Sequence, residues 1–387
     1  MLKENITKNL NNCILPFWKG MIDKEFGGYY GLLDFDLNLD KKAIKGGILN
    51  SRILWFFSNV YLTTKDESVL PYADHAFEFL KTYCLDTEQG GIYWSLTYDG
   101  KPEDTTKHTY NQAFAVYALS SYYDATHNTE ALDIAMNLYA IIETKCRLGE
   151  GYGESYTRDF VPNANDKSSE NNVIADKTMN TLLHICEAYT ELYRVTKNPE
   201  VRERLYWTTA EFLENLYNPE LHRLEVFFDA DMNSILDLHS YGHDIEATWL
   251  IDRALTVLDD AELSNRLAPM IMDLTEQIYK VAYENHSVMA ECEKGVVLTT
   301  RIWWVQCESI VGFYNAYQKT NDVRFKETAE DIWNYIETNL IDSRPNSEWY
   351  SEVDADGNPS SRLPIVEPWK CPYHNGRMCL EIINRMH

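Results

Sequence analysis

Two histidines in similar local contexts are the residues of this chain best suited to move protons. In SYGHDIEATW, His243 and Glu246 stand three apart in the opening turns of a helix-like segment, which puts both on one face. A carboxylate beside an imidazole orients the ring and raises its proton affinity, while the positive start of a helix favours the neutral form. The pair could therefore titrate near neutrality and act as a general base. A capping Asp244 followed by a surface ion pair is the alternative reading of the same residues. In KCPYHNGRMC, Pro372 opens a helix whose first turn carries His374, followed by Gly376 and Arg377. Two imidazoles at matching heights can face one ligand from different sides, whereas either alone would more often be structural.

Other segments with helical periodicity begin on groups suited to sugar hydroxyls. Arg52 follows Asn50-Ser51, Tyr110 and Asn111 follow His108, Asn180 and His184 lie one turn apart, and Trp303, Trp304 and Glu308 open another segment. Trp249 and Trp369 offer stacking faces. Each has a plain alternative: Arg52 as a surface cation, His184 as a core histidine, the tryptophans as packing. Their shared height on one scaffold is what favours a binding site. No P-loop, no GxGxxG after a strand, no HExxH and no nucleophile elbow is present, which removes support from phosphoryl transfer, hydride transfer from a nicotinamide and serine hydrolysis. No metal is expected, because the histidines and carboxylates lack a recognised ligand spacing.

The elements that would position these groups fall into two alternating sets. Segments near 3–22, 66–84, 129–146, 199–217, 261–284 and 322–341 are amphipathic and suit an outer layer. Those near 51–63, 107–125, 176–196, 242–258, 300–319 and 372–386 are richer in apolar and aromatic residues and suit an inner one. Helix starts are expected at Asn50-Ser51, Thr105-Thr106, Asp176, Ser240 to Gly242, Thr299-Thr300 and Pro372. Connections from inner to outer segments are brief (ATHNTE, TKNPE, KTNDV). Those from outer to inner are long and strand-like, as in GGIYWSLTYDGK and HRLEVFFDADMN. The pattern predicts an all-α (α/α)6 barrel of six inner and six outer helices, with short β-like loops at one mouth. No Gly/Ser-rich or Pro-rich linker interrupts it, so residues 1–387 are expected to form a single domain. Such barrels host several chemistries, so the mouth decides the function.

The whole-chain properties narrow the partner. A formal charge of −25 over 387 residues opposes binding to nucleic acid or anionic lipid. The start MLKENITKNLNN lacks the features of a signal peptide, and ILWFFSNVYL is too short and polar to span a bilayer, so a cytoplasmic protein is expected. The eight cysteines include no CxxC pair, which favours buried thiols over disulfides or metal ligands. With 26 tyrosines and 10 tryptophans, the chain has rings to spare for sugar stacking, although a large core also absorbs them.

Taken together, NSRILWFF (50–57), KHTYNQAFAVYALS (107–120), DKTMNTLLH (176–184), SYGHDIEATWL (240–250), RIWWVQCE (301–308) and EPWKCPYHNGRMCLE (367–381) resemble the N-acylglucosamine 2-epimerase superfamily. Within it the likeness is to the branch acting on β-1,4-linked disaccharides. The resemblance runs over essentially the whole chain. It implies an (α/α)6 barrel and reversible inversion of C2 in the reducing-end glucose of cellobiose or lactose, through a cis-enediolate and without cofactor. By matching motifs, His243 and His374 would be the acid/base pair and Glu246 the partner of His243. Arg52 and His184 would contact the reacting sugar, with Tyr110, Asn180, Trp249, Trp304, Glu308 and Trp369 helping to bind it. The implied partner is a small oligosaccharide, and a monomer is expected. N-acylglucosamine 2-epimerase, mannose isomerase or mannose epimerase chemistry of the same superfamily, and an inverting glycosidase using Glu246 and Glu308, are the alternatives.

Overall fold

The computed structural model describes residues 2–164, 171 and 173–386. Among these, twelve helical runs alternate between two layers. The outer ones are α1 (2–20), α3 (67–84), α5 (Thr129–Lys145), α7 (199–216), α9 (Ala261–Val281) and α11 (Val323–Asn339). The inner ones are α2 (Gly47–Thr64), α4 (Thr109–Thr126), α6 (Met179–Thr196), α8 (Tyr241–Leu258), α10 (Trp303–Thr320) and α12 (His374–Arg385). Outer helices bury one stripe: in α9 it is Leu263, Leu267, Met270, Ile271, Leu274 and Ile278, at steps of one, three and four. Each such side chain contributes about 1.5–3 kcal/mol when fully buried. Inner helices bury almost their whole circumference, as α2 does without a break from Gly47 to Ser58. Each inner helix packs on the next, and α12 returns to α2, so the ring closes into the (α/α)6 barrel that the alternation predicts.

The inner-to-outer connections repeat closely. α2, α4, α6, α8 and α10 each end at a residue with positive φ, namely Lys65, His127, Lys197, Asp259 and Asn321. The next residue is Asp66, Asn128, Asn198, Asp260 or Asp322, whose carboxylate or amide oxygen accepts a backbone N–H of the following helix. Two residues thus reverse the chain five times. At this end a belt of ion pairs links four inner helices. Arg194 reaches Asp124 at 2.7 Å and Glu191 at 2.9 Å, Arg253 reaches Glu191 at 2.5 Å and Glu381 at 3.6 Å, and Arg385 braces Glu381 at 3.0 Å.

The opposite end carries the long loops, and here the expected helix starts need correction. The residues before the inner helices are Gly46, His108, Thr178, Ser240, Ile302 and Tyr373, so only the start at Ser240 falls where the sequence pattern put it. Five inner helices are entered from a two- or three-residue strand paired with the next long loop, and that pairing fixes the start. The first N–H of four of them donates to a carbonyl of the same loop: Gly47 to Trp94, Thr109 to Glu154, Met179 to Val226 and Trp303 to Ser351, at 2.9–3.1 Å. Side chains one turn in add to this. Gln112 Oε1 accepts the Ile92 N–H while its Nε2 donates to the Ile92 carbonyl, and Gln306 does the same with Val288. Paired Leu33 and Val366 join the last loop to the first. No helix among the described residues is long and apolar enough to cross a membrane.

Candidate active site

Because the inner helices start at one level, side chains at equal steps from their starts converge. The sixth residues of α2, α4, α6, α8 and α10 are Arg52, Phe114, His184, Glu246 and Glu308. Three of them, Arg52, His184 and Glu246, line a cavity of about 240 Å³ at the loop end of the barrel. Ten of the residues singled out by sequence line it: Arg52, Tyr110, Asn180, His184, His243, Glu246, Trp303, Trp304, Trp369 and His374. Trp249 and Glu308 stand just behind this wall, where the Trp249 indole N–H donates to Glu308 Oε2 at 3.0 Å.

Both histidine rings lie against one indole. The centroid of Trp304 is 4.8 Å from that of His243 and 5.6 Å from that of His374. Gly242 permits the first contact, since a Cβ there would stand 2.5 Å from the Trp304 ring. His243 Nδ1 pairs with the Ser240 hydroxyl at 2.7 Å, and His374 Nδ1 pairs with Glu308 Oε1 at 2.7 Å. In each ring Nε2 is the nitrogen left for a ligand. Burial, followed by the nearby His184, pushes the His243 imidazole down to about 3. Burial, then Arg377 and Arg52, pushes His374 well below the ordinary imidazole range. His243 is the less enclosed of the two. Both rings are therefore neutral near pH 7, as bases must be.

The expected pairing of His243 with Glu246 does not form. Glu246 Oε1 instead accepts from Arg377 Nη2, and its Oε2 has no hydrogen-bond partner among the described residues. A spacing of three permits the imidazole contact, but a guanidinium arriving from α12 offers a full charge and wins the carboxylate. The carboxylate–imidazole pair is found at the other histidine, as Glu308–His374. Arg377 is the hub: the same Nη2 donates to Glu308 Oε1 at 2.7 Å, and Nη1 donates to Glu187. Glu187 also accepts from the Tyr373 hydroxyl at 2.6 Å and pairs with His184 Nδ1 at 2.9 Å. Although burial pushes it up, Arg377 and His184 hold the Glu187 carboxyl at about 2. Burial, with Glu308 adding to it, pushes Glu246 up to about 7 against the pull of Arg377. Burial also raises Glu308.

Ligand atoms of Glu246, Glu308 and His374 lie within 4.8 Å of one another, close enough to share a cation. The chain supplies that cation itself, since Arg377 Nη2 already bonds both carboxylates. Arg52 is different. Its guanidinium donates to the Tyr110 hydroxyl at 2.7 Å and the Trp369 carbonyl at 3.2 Å, and lies 4.2 Å from the Phe114 centroid and 4.6 Å from that of Tyr373. Among the described residues it has no carboxylate partner, so its charge faces the cavity uncompensated. Sequence reasoning missed Arg377, Glu187, Tyr373 and Ser240 as parts of the site. Two of these carried a signal: Glu187 follows His184 by three on one helix face, and Arg377 follows His374 by three.

The profile of the family described as N-acylglucosamine 2-epimerase (GlcNAc 2-epimerase) matches residues 28–375. The chain is 49% identical to the cellobiose 2-epimerase of Eubacterium cellulosolvens over 99% of this chain and 98% of that one. A crystal structure of a sugar epimerase from a ruminal bacterium is 48% identical and superposes with a TM-score of 0.99, covering 100% of both chains. The structure of the cellobiose 2-epimerase from Bacillus thermoamylovorans is 46% identical with a TM-score of 0.96, covering 100% of this chain and 99% of that one.

Proposed function

Because the chain belongs to the N-acylglucosamine 2-epimerase family, we propose that it inverts C2 of the reducing-end glucose in β-1,4-linked disaccharides, turning cellobiose into glucosyl-mannose and lactose into epilactose. The observation that carries this reading is the pair of neutral imidazoles held against Trp304 at one cavity that a guanidinium with no carboxylate of its own also lines.

In the open-chain sugar the C1 carbonyl acidifies the C2 proton, and one imidazole removes it. The resulting cis-enediolate carries negative charge on oxygen, for which the Arg52 guanidinium is a preorganised counter-charge in a site sparing of water. Rotation about C2–C3 turns the other face, and the second imidazole delivers a proton there. Glu308, at the Nδ1 of His374, is the carboxylate placed to balance an imidazolium formed there. Trp304, Trp369 and Tyr110 supply flat faces for the sugar. The alternative of an inverting glycosidase draws no support. Its two carboxyls would stand roughly 6.5–9.5 Å apart around a water, whereas oxygens of Glu246 and Glu308 lie within 4.8 Å on one guanidinium.

Incubating the protein with cellobiose in D2O and following the product by NMR tests the reading. The expected product carries deuterium at C2 of the reducing residue with the glycosidic bond intact. Full protium at C2, or release of glucose, would remove the proposal.

A further inference from the structure

Three residues of the cavity wall, Trp303, Trp369 and His374, stand next to a pair of charges that never meets solvent. Glu348 and Lys370 are both 0% exposed. They belong to the long loop between α11 and α12, Glu348 towards its start and Lys370 close to its end. Lys370 Nζ meets Glu348 Oε2 at 2.5 Å and lies 5.6 Å from the Trp303 ring centroid. Glu348 Oε1 accepts the Trp18 indole N–H of α1 and the Asn375 side-chain amide, each at 2.8 Å, and Oε2 also accepts the Trp349 backbone N–H at 3.3 Å. One carboxylate therefore grips the residue that follows Trp369 and the residue that follows His374. The Trp369 carbonyl in turn accepts from Arg52 at 3.2 Å. An apolar pair of the same volume would close the loop about as stably, because desolvation offsets the attraction of buried charges. What the charges add is direction, since a carboxylate with all its donors in place admits few arrangements of the segment that supplies them.

We propose that Glu348 is a positioning residue for the reaction, acting through Lys370 and Asn375 to hold the segment that carries Trp369 and His374 against the bound sugar. The proposal rests on the epimerase reading. Glu348 does not line the cavity, so it acts only through its neighbours. Its part differs from that of Glu308, which meets the His374 ring at Nδ1 and sets how the imidazole is turned. Glu348 instead holds the backbone from which that ring and the Trp369 ring project. Its two ties divide the work. The tie to Lys370 secures Trp369, a face for the sugar, and the tie to Asn375 secures His374, which moves the proton. His243 is reached by neither, since it stands on α8 with the Ser240 hydroxyl. Reacting groups tolerate little displacement, a shift of about 1 Å costing on the order of 100-fold in rate.

The test compares wild type with the double variant Glu348→Gln/Lys370→Met. The amide keeps an acceptor for Trp18 and Asn375, and no unpaired charge is left buried. Both proteins are assayed with cellobiose at a temperature where circular dichroism shows full helix content. Cellobiose deuterated at C2 of the reducing glucose gives the isotope effect on turnover. The double variant is expected to melt within a few degrees of wild type, yet to lose at least tenfold in kcat/KM, with a raised KM and a larger isotope effect. A role in stability alone would move Tm and leave KM and the isotope effect where they are. Wild-type kinetics in the folded double variant would overturn the proposal. Asn375→Leu, which cuts the tie beside His374 and leaves the ion pair intact, decides the matter if the double variant does not fold. It should lower kcat at least threefold with KM near the wild-type value, and an unchanged kcat would overturn the proposal as well. Wild-type protein that places no deuterium at C2 in D2O would instead strike the epimerase reading.

Discussion

His374 and His243 differ in what holds their Nδ1 atoms, a carboxylate for one and a hydroxyl for the other. Neither ring is needed to fill the barrel core, so His243→Asn or His374→Asn should cut turnover roughly 100- to 10,000-fold with helix content unchanged by circular dichroism. Both imidazoles are pushed down, so the neutral base persists to lower pH than for free histidine at about 6.5. The acid limb of kcat/KM should accordingly lie below pH 6, and a limb at the free value would show that burial does not govern these rings. Stability gives an independent reading of Glu246. Its folded value is raised above the unfolded one, so its contribution is full at low pH and is lost as pH rises through about 7. Glu246→Gln should thus gain stability relative to wild type as pH rises from about 4.5 to about 7, by on the order of 1–3 kcal/mol, and the gain should level off above that; a difference in Tm that does not change with pH would argue against the shift. At this scale the sequence was informative about which residues meet, since ten of its candidates line the cavity. It was not informative about partners. Whether Glu246 bonds His243 or Arg377 depends on a guanidinium arriving from α12, which no local spacing contains.

The helices themselves were legible because their two compositions differ: outer ones bury a stripe and inner ones bury nearly everything. Their starts were not. Capping residues such as Thr105-Thr106 and Thr299-Thr300 sit in the loops, while the actual starts are set by strand pairs with the next loop, a long-range contact. The inner helix ends offer a sharper test. Lys197 holds φ of 52° without being glycine, which costs an ordinary residue about 1 kcal/mol. Lys197→Gly should therefore stabilise the protein by about 0.5–1 kcal/mol in urea unfolding. Its neighbour Asn198 accepts from the Glu200 N–H at 2.8 Å and the Val201 N–H at 3.4 Å, so Asn198→Ala should cost about 1 kcal/mol. If both changes move stability in the same direction, the paired reversal is not working as described.

Over the whole molecule, the alternation of segments was enough to give a ring of helix pairs, and the closure of that ring came from contacts between the two ends of the chain. α12 packs on α1 and α2, Leu33 pairs with Val366, and the Trp18 indole N–H donates to Glu348 at 2.8 Å. We take the described residues to act as one cooperative unit on this account, because opening any inner contact breaks the circle. Lys3 Nζ also donates to the Met386 carbonyl, which brings residues far apart in sequence into touch. The groups proposed for catalysis come from positions near the starts of inner helices, and none of them sits in the two-residue reversals at the opposite end. The circle therefore has no obligatory first member. Residues 2 and 386 could be joined by a short flexible linker and the chain cut instead between Lys197 and Asn198. The resulting circular permutant is expected to fold with the same cavity and to keep its activity, losing only the stability of one cap.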